Sequence, residues 1–181
     1  AAVLQALRSL YAPEMSRQEL ERIGLQVGSD VPFCVRGGTA LAEGRGEVLT
    51  DLPPLPACAI VVCKPEFGLS TPALFGRVRV EKLGRRPDHD AMKQALAAGN
   101  LGAVARQMGN VFEEVLTAEE SREIAYLKDV MLRCGALNAV MTGSGPTVFG
   151  LFAQKEQAER AAQTLRSRYA QLFLTTPVQR V

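Results

Sequence analysis

The sequence predicts an α+β fold built on a mainly antiparallel sheet. Three observations lead there. The apolar pattern beyond residue 56 runs strand, helices, strand, strand, helix, strand, the order of a split β-α-β layer with extra helices. Cap and breaker residues punctuate that order, at Ser16, at Ser70-Thr71-Pro72 and at Gly135. The Pro-rich stretch Leu52-Pro53-Pro54-Leu55-Pro56 separates this part from a more helical start, so two domains are expected, over 1–55 and 56–181.

The elements follow in turn. Val3, Leu4, Leu7, Leu10 and Tyr11 fall at helical spacing, giving a helix over 1–11 with no capping residue before it. A helix needs partners for its first amides, so this start predicts a further segment upstream. Ser16 with Glu19 three residues on is a capping box; its helix runs to Val27 and stops at Gly28. Ser29 to Val35 reads as extended, because residues before a proline avoid the helical region. Thr39–Ala42 and Glu47–Leu52 read as strands around Gly44-Arg45-Gly46. Cys58-Ala-Ile-Val-Val-Cys63 is a buried strand by its unbroken apolar run, and Ser70-Thr71-Pro72 opens a helix. The charged stretch 84–90 reads as a loop, with Arg85-Arg86 and His89 at the surface. Helices are expected at 90–98, 101–108, 110–116 and 118–134, strands at 138–141 and 147–152. A helix at 154–169 would put Ala158, Ala161, Ala162, Leu165 and Tyr169 on one face, and a last strand covers 171–175.

Composition narrows the function. With 47% hydrophobic and 22% charged residues over 181 positions, the chain can bury a core without disulfides or metals. A net charge of +2 and the absence of tryptophan argue against a nucleic-acid or polybasic membrane partner. One histidine excludes sites made of two or three, and no metal site is expected. Cys34, Cys58, Cys63 and Cys134 form no C-x-x-C pair and read as reduced small hydrophobes of a cytoplasmic protein. No apolar run reaches the length of a membrane span.

Three stretches carry candidate chemistry. Gly143-Ser144-Gly145 lies between two strands; glycines let backbone amides approach an anion and Ser144 adds a hydroxyl, though a tight hairpin explains the same residues. Asp30 sits among Val31, Pro32 and Phe33, where a carboxylate could act as a general base or satisfy the preceding helix end. Gly44-Arg45-Gly46-Glu47 reads as a hairpin turn, and Lys64 as an ordinary strand-end lysine.

Taken together, Gly28-Ser29-Asp30-Val31-Pro32-Phe33, Gly37-Gly38-Thr39-Ala40 through Glu43-Gly44-Arg45-Gly46-Glu47, Lys64-Pro65 with Ser70-Thr71, and Met141-Thr142-Gly143-Ser144-Gly145-Pro146-Thr147-Val148-Phe149 resemble the GHMP kinases. Within them the order is most similar to the branch that phosphorylates a diphosphocytidyl-methylerythritol in isoprenoid precursor synthesis. The resemblance spans essentially the whole chain and implies the end of an S5-like domain followed by a ferredoxin-like C-terminal domain. It implies transfer of the γ-phosphate of ATP, with Mg2+ as companion, to the 2-hydroxyl of that small-molecule acceptor. Asp30 matches the catalytic aspartate. Thr71 and Phe75 match substrate-pocket positions, the Phe75 ring being suited to stack on cytosine. Gly143, Ser144 and Gly145 match the loop that borders the substrate phosphates. The family's ATP loop and the lysine that partners the aspartate have no match here, the first lysine being Lys64. Both are expected upstream of Ala1, and these residues alone are expected to be inactive. Two other readings stay open: a GHMP kinase for a different alcohol, and a non-catalytic binding or assembly module.

Overall fold

The computed structural model describes residues 1–84 and 86–178, so Arg85 of the expected surface pair lies outside the described residues. The chain divides into two compact units, Ala1–Pro54 and Leu55–Pro177.

The first unit holds helices α1 (Ala2–Tyr11), α2 (Arg17–Val27) and α3 (Val31–Arg36), and a hairpin of β1 (Ala40–Glu43) with β2 (Val48–Asp51). The capping box forms: Ser16 Oγ accepts the Glu19 amide, and the Glu19 carboxylate accepts the Ser16 amide at 2.9 Å. The chain after Gly28 departs from the extended path the sequence suggests. It turns through Asp30 and enters α3, which begins with the Cys34 amide bonded to the Asp30 carbonyl at 3.1 Å. Pro32 falls in the first turn of this helix, where its missing N–H costs nothing and its fixed φ suits the helix. That outweighs the local preference of the residue before it. Pro32 and Val35 are thereby buried. Arg36, at the end of α3, binds Glu21 of α2 through two bonds of 2.9 and 2.6 Å and the Leu49 carbonyl of β2 at 2.7 Å. One planar guanidinium thus ties three elements together, and the Glu21 hydrogen bond holds its pKa above the usual arginine value.

The second unit holds β3 (Ala59–Lys64), α4 (Thr71–Arg77), α5 (His89–Ala97), α6 (Leu101–Gln107), α7 (Ala118–Arg133), β4 (Asn138–Met141), β5 (Val148–Phe152), α8 (Lys155–Arg166) and β6 (Gln171–Thr175). The sheet order is β4-β5-β3-β6, with every neighbouring pair antiparallel. This is the split β-α-β order that the sequence predicts. Side chains alternate across the strands. Ala59, Val61, Cys63, Ala139, Met141, Val148 and Phe152 point into one core with Ile124, Leu127 and Met131 of α7 and Ala158, Ala161, Ala162 and Leu165 of α8. On the other face Val140 and Leu151 pack with Cys58, Ala105 and Met108, edged by Met92 of α5. Phe152, Leu127 and Met131 are fully buried, each contributing about 1.5–3 kcal/mol over exposure.

Cys58 and Cys63 therefore sit on opposite faces, as their spacing requires. Burial, reinforced by the Glu123 carboxylate, pushes the Cys63 thiol up to about 12, so it is an inert core group. Cys34, in contrast, is exposed, which corrects its reading as a small hydrophobe. Two local expectations also shift. His89 is exposed but opens α5 rather than lying in a loop, because Asp88 caps the helix through the Ala91 amide at 2.9 Å. The stretch at 110–116 is a 3-10 turn over Val111–Val115, tightened by the Asn110 side chain capping the Phe112 amide.

Candidate active site

In the first unit Asp30 stands at the entry to α3. Its apolar followers Pro32 and Val35 turn inward, while Asp30 itself is exposed and its carboxylate caps no helix amide. This corrects the expectation of an apolar setting. The hairpin turn between β1 and β2 lies against the same segment. A Cβ on Gly46, whose φ is +110°, would fall 3.3 Å from the Ser29 carbonyl oxygen and 3.8 Å from Asp30 Oδ1. Glycine is required there both by the backbone and by this approach. In the same turn the Glu47 carboxylate accepts the Arg45 amide at 2.6 Å, and such backbone hydrogen bonds lower its pKa.

The second unit brings together the other residues the sequence singles out. The Ser70 hydroxyl caps α4 through the Ala73 amide. This puts Thr71 in the first turn, where its Oγ1 lies 2.7 Å from Ser144 Oγ. Phe75, one turn further, remains 63% exposed, its ring meeting the Phe112 ring edge-on at 5.0 Å between centroids. An exposed aromatic surface of that size can stack a planar base.

The glycine turn joins β4 to β5 and is a hairpin closed by Thr142 N–H donating to the Thr147 carbonyl at 2.8 Å. Gly145 N–H donates to the Thr142 carbonyl at 2.9 Å. Gly143 and Gly145 have φ of +55° and +74°, and the Gly145–Pro146 peptide is cis. Among the described residues the amides of Gly143 and Ser144 find no partner. The hairpin reading thus holds, in a tight turn whose geometry leaves two backbone donors to spare. Gly143 also borders a groove of about 430 Å³ lined by His89, Met92, Asn110, Phe112 and Phe149.

Three residues that sequence reasoning passes over hold this arrangement. Asn110 Nδ2 donates to the carbonyls of Met141 at 2.7 Å and Gly143 at 2.8 Å. Glu113 Oε1 accepts the Met141 amide at 2.7 Å, and its other oxygen binds Lys128 of α7. Phe112 pins Phe75. The available signal was an Asn followed three residues later by Glu, a cap-like pattern in an apolar stretch.

Residues 92–171 match the family described as "GHMP kinases C terminal". Among curated relatives, the 4-diphosphocytidyl-2-C-methyl-D-erythritol kinase of Caldicellulosiruptor saccharolyticus is 43% identical over 176 residues, 97% of this chain and 60% of its own length. The protein of the same name from Clostridium botulinum strain Hall is 39% identical over 178 residues, 98% of this chain and 63% of its own. The chain thus spans about three-fifths of the length of the curated relatives it matches. A crystal structure of a 4-(cytidine 5'-diphospho)-2C-methyl-D-erythritol kinase superposes with a TM-score of 0.77 at 32% identity, covering 97% of this chain and 62% of that one. Homoserine kinase from Cytophaga hutchinsonii, at 17% identity and a TM-score of 0.71 over 96% of this chain and 61% of its own, shares the fold.

Proposed function

We propose that the protein is an ATP-dependent kinase that phosphorylates the 2-hydroxyl of 4-diphosphocytidyl-2-C-methyl-D-erythritol. The observation that carries this reading is the meeting of Thr71 with Ser144 at 2.7 Å, one turn from an exposed Phe75. It joins a base-stacking ring, a hydroxyl pair and an anion-receptive turn in one place. Relatives similar to this chain over nearly its whole length bear the name of that activity.

In this reaction the acceptor oxygen forms a bond to the γ-phosphorus while the bond from that phosphorus to the β–γ bridging oxygen breaks. ADP leaves, and the hydroxyl proton goes to the Asp30 carboxylate. Phosphoryl transfer asks mainly for positioning and charge stabilisation. Exposed and uncapped, Asp30 is available for the proton. Phe75 would stack on cytosine, and Thr71 with Ser144 would orient the acceptor. The free Gly143 and Ser144 amides would receive phosphate charge without a basic patch, in keeping with the nearly neutral chain. ATP enters as co-substrate, and we assign none of this chain's residues to its base. Mg2+, when present, supplies charge neutralisation on the phosphates. No cluster of three His, Cys, Asp or Glu ligands occurs among the described residues. No described helix is long and apolar enough to cross a membrane, and we place the enzyme in the cytoplasm, where its cysteines stay reduced.

The test is ADP release by the intact protein with the diphosphocytidyl acceptor. Turnover is expected with this acceptor and not with homoserine or mevalonate. Asp30→Asn should lower kcat by about 10²- to 10⁴-fold with an unchanged Tm, and Phe75→Ala should raise the KM of the acceptor but not of ATP. Full turnover by Asp30→Asn, or preference for another alcohol, would refute the proposal.

A further inference from the structure

The amide of Asn110 makes three hydrogen bonds, all to backbone. Both hydrogens of Nδ2 go to carbonyls, of Met141 and Gly143, and Oδ1 accepts the Phe112 amide at 3.0 Å. The two carbonyls flank Thr142, the residue that enters the glycine turn. Peptide planarity gives this grip a direction. In a trans peptide the C=O and N–H point opposite ways. Drawing the Met141 carbonyl toward Asn110 sends the Thr142 N–H away from it, and that N–H meets the Thr147 carbonyl at 2.8 Å. Drawing the Gly143 carbonyl the same way sends the Ser144 N–H outward, and this is one of the two amides left free.

Without the Asn110 bond a flip of the Gly143–Ser144 peptide would be opposed chiefly at Ser144, whose φ, not positive in the structure, the flip would turn positive. Gly143 has no Cβ, and a side chain there would meet nothing within 4 Å. A flip would present a carbonyl oxygen where a donor now stands, turning an anion-receptive turn into a repulsive one. Glu113 cannot substitute, since it holds the Met141 amide and not the turn itself.

We propose that Asn110 is a positioning residue that locks the Gly143–Ser144 peptide, so that the Ser144 amide faces an anionic group. That an anion, the phosphate in transfer, meets this amide rests on the kinase reading above; the lock on the peptide does not. Asn110 itself touches no substrate and acts through the turn.

Asn110→Asp is the informative change. It keeps an oxygen for the Phe112 amide but sets a second oxygen against the two carbonyls. In the intact protein, the Thr142 and Gly145 amides, both bonded within the turn, should exchange about tenfold or more faster, while α7 and α8 keep their protection. kcat with ATP and the diphosphocytidyl acceptor should fall about 10- to 100-fold, the order expected when a preorganised donor is misdirected. The acceptor KM should stay within about threefold. Unchanged exchange at Thr142 and Gly145 would overturn the lock. So would protection lost equally across α7 and α8, which would mark Asn110 as an ordinary fold residue. A wild-type protein without kinase activity, whose turn is still loosened selectively by Asn110→Asp, would refute the kinase reading and uphold the lock.

Discussion

Gly143 and Gly145 stand two residues apart in one turn, yet the molecule uses them differently. Both have positive φ, and a side chain in that region costs roughly 1–2 kcal/mol. At Gly143 that is the whole cost, since nothing lies within 4 Å of an added Cβ. At Gly145 the added carbon would fall 2.3 Å from Met141 Sδ and 3.0 Å from Leu69 Cδ1, and Met141 is buried in the main core. Overpacking of a filled core adds about 1–3 kcal/mol. Gly145→Ala is therefore expected to destabilise the second unit by about 2–5 kcal/mol in urea unfolding, against about 1–2 kcal/mol for Gly143→Ala. Equal losses would show that Met141 can yield, and that the turn rather than the core sets the cost. At this scale the sequence is candid about residue type and silent about neighbours. The glycines, Thr71 and Ser144 stand out in it. That Thr71 and Ser144 touch, or that Asn110 reaches 31 and 33 residues along the chain, depends on tertiary placement that no local pattern encodes.

Helices and strands follow local rules more closely, because caps, breakers and alternation act within a few residues. The capping boxes at Ser16 and Thr117 and the caps at Ser70, Asp88 and Asn100 set where helices begin. The exception, α3, arises where two local rules about one proline conflict and burial of Pro32 and Val35 decides. The helix that carries Thr71 and Phe75 has a further anchor. Arg77 at its end binds Glu120 at 2.7 Å, and Glu120 is also the returning carboxylate of the Thr117 capping box. The Arg77 hydrogen bond, then the Thr117 amide, hold the Glu120 carboxyl below its ordinary value of 4.5. A carboxyl depressed in the folded state adds stability that is fully present above its unfolded pKa and lost as pH falls through its folded one. Arg77 is partly open to solvent, so screening keeps this contribution to about 0.5–1 kcal/mol. Glu120→Gln should be less stable than the wild type by that amount at pH 7, with the gap closing as pH falls below the ordinary carboxyl value of 4.5 and through the lowered folded one. A gap that persists in acid would assign the loss to the cap geometry instead of the charge.

At the scale of the whole chain the two units differ in what they bury. The second unit closes a four-stranded sheet between helices, with Val61, Cys63, Leu127, Met131, Ala139, Val148, Phe152, Ala158 and Ala161 at 0% exposure. In the first unit, among the described residues, the buried apolar side chains are Leu20, Pro32 and Val35. Its α1 buries none and leaves Val3, Leu7, Leu10 and Tyr11 exposed. A unit of that size with so small a core seldom supplies more than about 3–5 kcal/mol. Its stability rests disproportionately on the Arg36–Glu21 pair, where loss of Arg36 would strand the buried Glu21 carboxylate. The chain should therefore unfold in two steps, the first unit opening at lower denaturant. In hydrogen exchange, α1 should lose protection first and β3 and β5 last. The segment 55–181 expressed alone should keep a cooperative transition at the midpoint of the second step, whereas Arg36→Ala in the whole chain should move only the first. A single transition, shifted as a whole by Arg36→Ala, would mean that the two units fold as one, and that stability in the first is borrowed from the second.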